Sequence, residues 1–516
     1  MSQNLSVDVI SDATAQPVPT PNALTDWVRF ALSAGLTGLL AGAAGVLMAL
    51  GLHYVQHLAY GYSLTTPIGH ESFLQGVEAA APGRRILVMV LCGGLAGGGW
   101  WAVYRFGAPL VSIRQAVADP SRPMPLWSTL AHAMLQIVTV AMGSPLGREV
   151  APREAGSLIA GRIARAFRLT PEQSQTLIAC GAGAGLAAVY NVPLGGAVFV
   201  AEVLRRSFSI SVIAPALTAC VIAAFVSWIG LGNESQYVLP PLAVSSPLIA
   251  WSVICGPLLG LCAWIYIRLV ARLRAAAPRT AAIVPWCIAA FAVIGLFSAA
   301  YPQLLGNGKG PIQLGLDGRV TPALAGTLLL LKLAATCLAL RAGAEGGLLT
   351  PGMTIGALLG LLGGAAVSVV LPGTALGAFA LVGAIAFLAT SMRMPLTAIV
   401  LGIEFTRADH DFLVPIGIAV AGSVAVAHGL DGCEKTIFSR RGQRVFSILA
   451  GIALFALAIG VLGLVGYAVF DESDRPGPFI QSLTGGATPF ALTGLALVLG
   501  IAGAKLAFRW RAHPGD

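Results

Sequence analysis

Residues 143–161 read GSPLGREVAPREAGSLIAG, and the fold turns on this stretch. It sets one carboxylate, Glu149, between Gly147-Arg148 and Pro152, just ahead of an apolar run. Proline at a first helical position is preorganised and wastes no hydrogen bond, so the spacing predicts a helix from near Pro152. That helix reads to about Phe167, where RLTPEQ interrupts it. It falls short of the ~20 residues that cross a bilayer. A short helix in a membrane protein ends partway through, with free N–H groups and a positive dipole end inside the protein. Such an end attracts anions, and Glu149 is the anion nearest to it.

Composition sets the class. Of 516 residues, 56% are hydrophobic and only 10% charged, and the mean hydropathy is +0.82. A soluble domain of this size carries far more charge. The 63 glycines suit close helix packing in lipid. The net charge of +9 is no nucleic-acid signal, because arginines cluster at segment ends: Arg268, Arg272, Arg274, Arg279, then Arg440, Arg441, Arg444. Such clusters mark cytoplasmic loops. The cysteines lie mostly in apolar runs without a C-x-x-C pair and read as buried small side chains. Residues 1–25 are polar, with three prolines and no basic run, and read as a disordered cytoplasmic tail rather than a signal peptide.

Apolar runs follow one another to residue 508, unevenly long, with Gly or Pro breaks at 143–152, 191–193, 346–351 and 393–395. The breaks pair up. Gly181 to Leu194 matches Gly383 to Leu396, and a glutamate, Glu202 or Glu404, follows nine residues after each proline. Gly147 to Pro152 has its partner in Gly346 to Pro351. Pro395 lies 202 residues past Pro193, and Pro351 lies 199 past Pro152. An internal duplication explains this better than chance, and paired broken helices point to a midplane binding site. The expected organisation is a tail at 1–25, membrane repeats at 26–232 and 245–440, and two additional C-terminal spans within 441–516, at about 445–470 and 486–508. Two helix N-termini aimed at one centre hold a dehydrated anion without trapping it as a contacting Lys or Arg would.

These residues resemble a known family. Gly147-Arg148-Glu149-Val150-Ala151-Pro152 is similar to the G-[KR]-E-G-P motif of the CLC chloride channels and chloride/proton antiporters, and Gly347-Leu348-Leu349-Thr350-Pro351 to its G-x-F-x-P motif. Gly181 to Glu202, Gly306-Asn307-Gly308, Lys332 and Pro395 to Glu404 support the likeness, which covers about 30–440. It implies an all-α polytopic membrane protein, with two inverted-topology repeats of short, broken, tilted helices. It also implies a homodimer in the cell membrane, chloride as the transported ion, and neither cofactor, metal nor nucleic acid. By that likeness Glu149 is the external gate, competing with the anion and swinging away when protonated. The anion site then takes in Gly147, Arg148, Glu149, Val150 and the amides of Leu348 and Leu349.

The departures from the family are specific. Ala108 stands where the family has an anion-binding serine, and Phe438 where it has an anion-binding tyrosine. Val150-Ala151 replaces Gly-Pro, and Val203 replaces the antiporters' internal proton glutamate. Valine carries no proton, which favours a voltage-gated chloride channel; the alternatives are a chloride/proton antiporter or a transporter of another small anion such as fluoride or nitrate. Glu202 and Glu404, each ending a short helix, are expected to bond backbone amides. Arg153 and Glu154 are expected to be satisfied as a pair inside the protein. An intramembrane enzyme is the rival class, but H-E-x-x-H and G-x-S-x-G are both missing from the sequence.

Overall fold

The computed structural model describes residues 21–61, 72–370 and 373–437. Residues 1–20 of the expected tail (1–25), Phe438 and the two C-terminal spans lie outside the described residues, while residues 21–25 are helical instead. Nine helices precede the midpoint: α1 (Pro21–Tyr60), α2 (Phe73–Ala79), α3 (Pro82–Phe106), α4 (Ile113–Ala118), α5 (Leu126–Ala141), α6 (Val150–Ala166), α7 (Pro171–Tyr190), α8 (Pro193–Phe199) and α9 (Ile210–Leu231). Eight follow: α10 (Ser246–Ala275), α11 (Ile283–Ala300), α12 (Lys309–Leu316), α13 (Pro322–Ala342), α14 (Leu349–Val370), α15 (Leu376–Ser391), α16 (Pro395–Thr406) and α17 (Leu413–Ile437). Among the described residues, eight helices are long and apolar enough to cross a membrane. This is an all-α, multi-pass membrane protein.

The breaks between helices follow local chemistry. After α6, Thr170 caps α7 by accepting from the Gln173 amide, and Gln173 answers with a capping box. Pro171 then occupies the first helical turn. Asn191 ends α7 in a left-handed conformation (φ 55°) before Pro193 starts α8. α8 has 7 residues and runs into a π-helical turn, Val200–Arg205.

Two helix starts differ from the sequence expectation, and by the same amount. α6 begins at Val150 and α14 at Leu349, each two residues before the proline. The first four N–H groups of a helix have no intrahelical partner, so proline is as harmless in the third position as in the first. α14 is also not short: at 22 residues it can span. α6, with 17 residues, is short as expected.

Glycine sets the closest helix approaches, and it does so twice in corresponding places. A Cβ on Gly156 of α6 would strike the carbonyl of Gly181 on α7. One on Gly356 of α14 would lie 2.5 Å from the carbonyl oxygen of Gly383 on α15. Small residues let backbones meet where lipid supplies no hydrophobic drive. α7 and α15, buried along nearly their whole length, form the spine of the molecule. Cys92, Cys180, Cys220, Cys255 and Cys287 are buried free thiols, Cys337 is half-buried and Cys262 is exposed.

Candidate anion site

Gly147 and Gly347 form an isolated antiparallel bridge. Each amide donates to the other's carbonyl at 2.8 Å. The two glycines lie 200 residues apart and belong to the two matched motifs. Their pairing brings the N-terminal ends of α6 and α14 together.

Glu149 is fully buried beside this bridge. It is the N-cap residue of α6, yet its side chain makes no cap bond there. Its Oε1 instead accepts from the amide of Leu349, the first residue of α14, at 2.7 Å. Oε2 accepts from the Tyr190 hydroxyl at 3.5 Å, a length at which little binding remains. The carboxylate fills the space over both glycines, since a Cβ on either Gly147 or Gly347 would collide with it. A carboxylate on a helix N-terminal amide occupies the kind of seat that a small inorganic anion takes. The geometry therefore offers one anion position with a covalently tethered occupant.

Neither neighbouring guanidinium neutralises that occupant by a direct bond. Arg153 Nε donates to the Glu149 carbonyl at 2.9 Å, and its guanidinium lies 5.2 Å from the Phe199 ring centre. Arg148 stacks 5.2 Å over Tyr190, and its buried Nε has no hydrogen-bond partner. Glu154 turns to α5, where its Oε2 meets His132 Nδ1 at 2.8 Å and Gln136 Nε2 at 3.3 Å. Arg153 and Glu154 are thus each satisfied inside the protein, but by different partners, because consecutive helical residues point apart.

The family model described as "Voltage gated chloride channel" matches residues 86–428. This chain belongs to the CLC family. The H(+)/Cl(-) exchange transporter ClcA of Klebsiella pneumoniae (strain 342) is 28% identical over 433 residues, covering 81% of this chain and 89% of that protein. ClcA of Salmonella paratyphi B is 28% identical over 425 residues, covering 79% and 87%. A slow cyanobacterial Cl-/H+ antiporter has the same fold, with a TM-score of 0.67 at 21% identity over 78% of this chain and 95% of that one. A CLC-type fluoride/proton antiporter gives 0.56 at 20% identity over 79% and 96%.

The CLC motif positions fall in different places. Leu349 is buried and gives its amide to Glu149, while Leu348 and Val150 are half-buried beside it. Ala108 is exposed in the segment between α3 and α4, and no bond of the Glu149 carboxylate reaches it. Val203 lies in the π-helical turn and lines a cavity of about 250 Å³ with Arg114, Gln175, Arg205 and Arg206. A second cavity, of about 230 Å³, opens between Tyr104, Arg274, Arg279 and Glu345. Arg274 donates from its floor to the Gly346 carbonyl at 2.7 Å, one residue from the bridge.

Tyr190, His132 and Glu345 were not singled out from sequence, and Arg274 was read only as part of a loop-end arginine cluster. Tyr190 sits unremarked at the end of an apolar run. His132 and Glu345 carried a usable signal, as ionisable groups in or beside apolar spans.

Proposed function

We propose that this CLC protein exchanges chloride for protons across the membrane, with Glu149 as the gate. The observation that carries the reading is the Glu149 carboxylate seated on the Leu349 amide at 2.7 Å. A chloride ion competes for that amide and for the neighbouring Leu348, Arg148 and Val150 groups, while Gly147 stays in the bridge to Gly347. Protonation removes the charge that holds the carboxylate there, so one event frees the seat and loads a proton. The relatives that carry the H(+)/Cl(-) exchange name support the coupling.

A voltage-gated chloride channel is the second reading, favoured by Val203, which cannot relay a proton. Fluoride or nitrate in place of chloride is the third, because Ala108 and Phe438 bring no hydroxyl to the ion. The working unit is proposed as a homodimer in the cell membrane, with the N-terminus cytoplasmic, repeats at 26–232 and 245–440, no cofactor and no enzymatic activity.

Anion flux into liposomes, with and without a pH gradient, separates exchange from a channel. A proton gradient that drives chloride uphill supports exchange. Flux that ignores the gradient supports a channel, and absence of flux overturns both.

A further inference from the structure

The gate mechanism leaves one buried polar cluster unused. His132 and Gln136 lie one turn apart on α5 and face Glu154 on α6. His132 Nδ1 is 2.8 Å from Glu154 Oε2, with side chains 10% and 14% exposed. Gln136 is fully buried; its amide nitrogen lies 3.0 Å from His132 Nδ1, while its Oε1 has no partner. Ionisable groups held inside a membrane span are costly, so they mark ion or proton pathways. An unpartnered amide oxygen beside them leaves an acceptor open for a water or a protonated group.

The surroundings extend the cluster to solvent. Glu345 acts electrostatically on His132, and Glu154 on Tyr104. Tyr104 donates to Glu345 Oε1 at 3.1 Å, and both line the arginine-edged cavity between the ends of α3, α10 and α13. On the other side, Glu154 sits five residues along α6 from Glu149, about 7.5 Å of helix rise. Among the described residues, other charges close to this cluster include Arg153 on α6, Arg114 of α4, which acts on Arg153, and Arg279, which acts on Tyr104. From α1, His53 neighbours Arg148 and Lys309 rather than the pair.

We propose that His132 and Glu154, fed through Glu345, form the internal proton station of this protein, at a place in the fold separate from Val203. This rests on the exchange reading above. Only a proton moves. Glu345 takes it from water in the cavity and passes it to the His132–Glu154 pair. It then leaves for the Glu149 carboxylate, which becomes neutral and releases the Leu349 amide. O–H and N–H bonds are the only ones made or broken, and each donor returns to its starting charge.

The test uses the full chain in liposomes, with chloride and proton fluxes recorded together. Glu154→Gln keeps hydrogen-bonding groups opposite His132 and Gln136 but carries no proton. Glu154→Gln and His132→Asn should keep anion flux while proton flux falls at least about a hundredfold, the lower end of what a lost acid–base group costs. Proton flux unchanged in both, with wild type coupled, overturns the station and leaves the exchange reading standing. Wild type that moves chloride without protons overturns both. Where those variants move no anion, Glu154→Asp decides. Its shortened carboxylate loses the 2.8 Å contact with His132 Nδ1, so the proton-to-chloride ratio should fall, and an unchanged ratio overturns the station.

Discussion

Glu202 and Glu404 cap each other's partner helices. Glu202, after α8, accepts from the amides of Leu396 and Thr397 at the start of α16, at 2.9 and 2.7 Å. Glu404, near the end of α16, accepts from Leu194 and Gly195 at the start of α8, at 2.9 and 2.7 Å. Each carboxylate thus neutralises the dipole end of the helix that carries the other. The exchange ties the two sequence halves across what would be two unsatisfied helix starts.

The two caps are not equal, because the Thr397 hydroxyl also donates to Glu202, at 2.6 Å. Removing a partner of charged hydrogen bonds costs about 1.5–3 kcal/mol per site. Glu202→Ala should therefore lower the thermal midpoint in detergent more than Glu404→Ala does. Equal midpoints, or an order reversed, would contradict the extra bond.

Glu149→Gln and Glu149→Ala should keep anion flux and lose its dependence on external pH. In wild type the charged carboxylate holds the seat at high pH, so flux rises as pH falls, by at most about tenfold per unit for one proton. The variants stay flat across the range. A pH profile that persists in both would remove Glu149 from the gate.

Gly347→Ala tests the seat from its other side. The new Cβ occupies the position of the carboxylate, so Glu149 cannot reach the Leu349 amide. Because the methyl also takes the anion's place, flux in this variant should fall below that of Glu149→Ala and stay flat with pH, provided the 2.8 Å bridge to Gly147 survives. Wild-type pH dependence in a folded Gly347→Ala protein would show that the seat lies elsewhere.

Lys332 is 1% exposed and donates to the carbonyls of Gly306 and Leu304. Lys332→Met fills the same space but leaves both carbonyls without that donor. The expected loss is about 1–3 kcal/mol, read as a lower thermal midpoint with little change in flux per folded molecule. A midpoint equal to wild type would mean that water replaces the ammonium at no cost.

Ala108→Ser restores the hydroxyl that the CLC pattern places at the anion. It should tighten chloride binding by about 1 kcal/mol, roughly fivefold, in calorimetry. The exposed position of Ala108 makes this a sharp test: no change would mean that the ion never comes close to this segment.

The membrane class and the paired breaks were legible in composition and spacing, because hydropathy, Pro and Gly act locally. The acids Glu149, Glu202 and Glu404 stood out for the same reason: a charge beside an apolar run needs a partner. Which amides Glu202 and Glu404 meet could not be read from sequence, and Leu349 was reached for Glu149 only through the CLC resemblance. α8 and α16 start without a side-chain cap from their own segment, and the group that meets such a start comes from across the fold, as it does 200 residues away for Glu149 and Leu349. His132 and Glu154, 22 residues apart, became a pair only when α5 packed on α6. Sequence determined which carboxylates stand beside apolar runs and helix breaks; only the tertiary structure decided which carboxylate sits on which helix, because the amides it meets come from the other half of the chain.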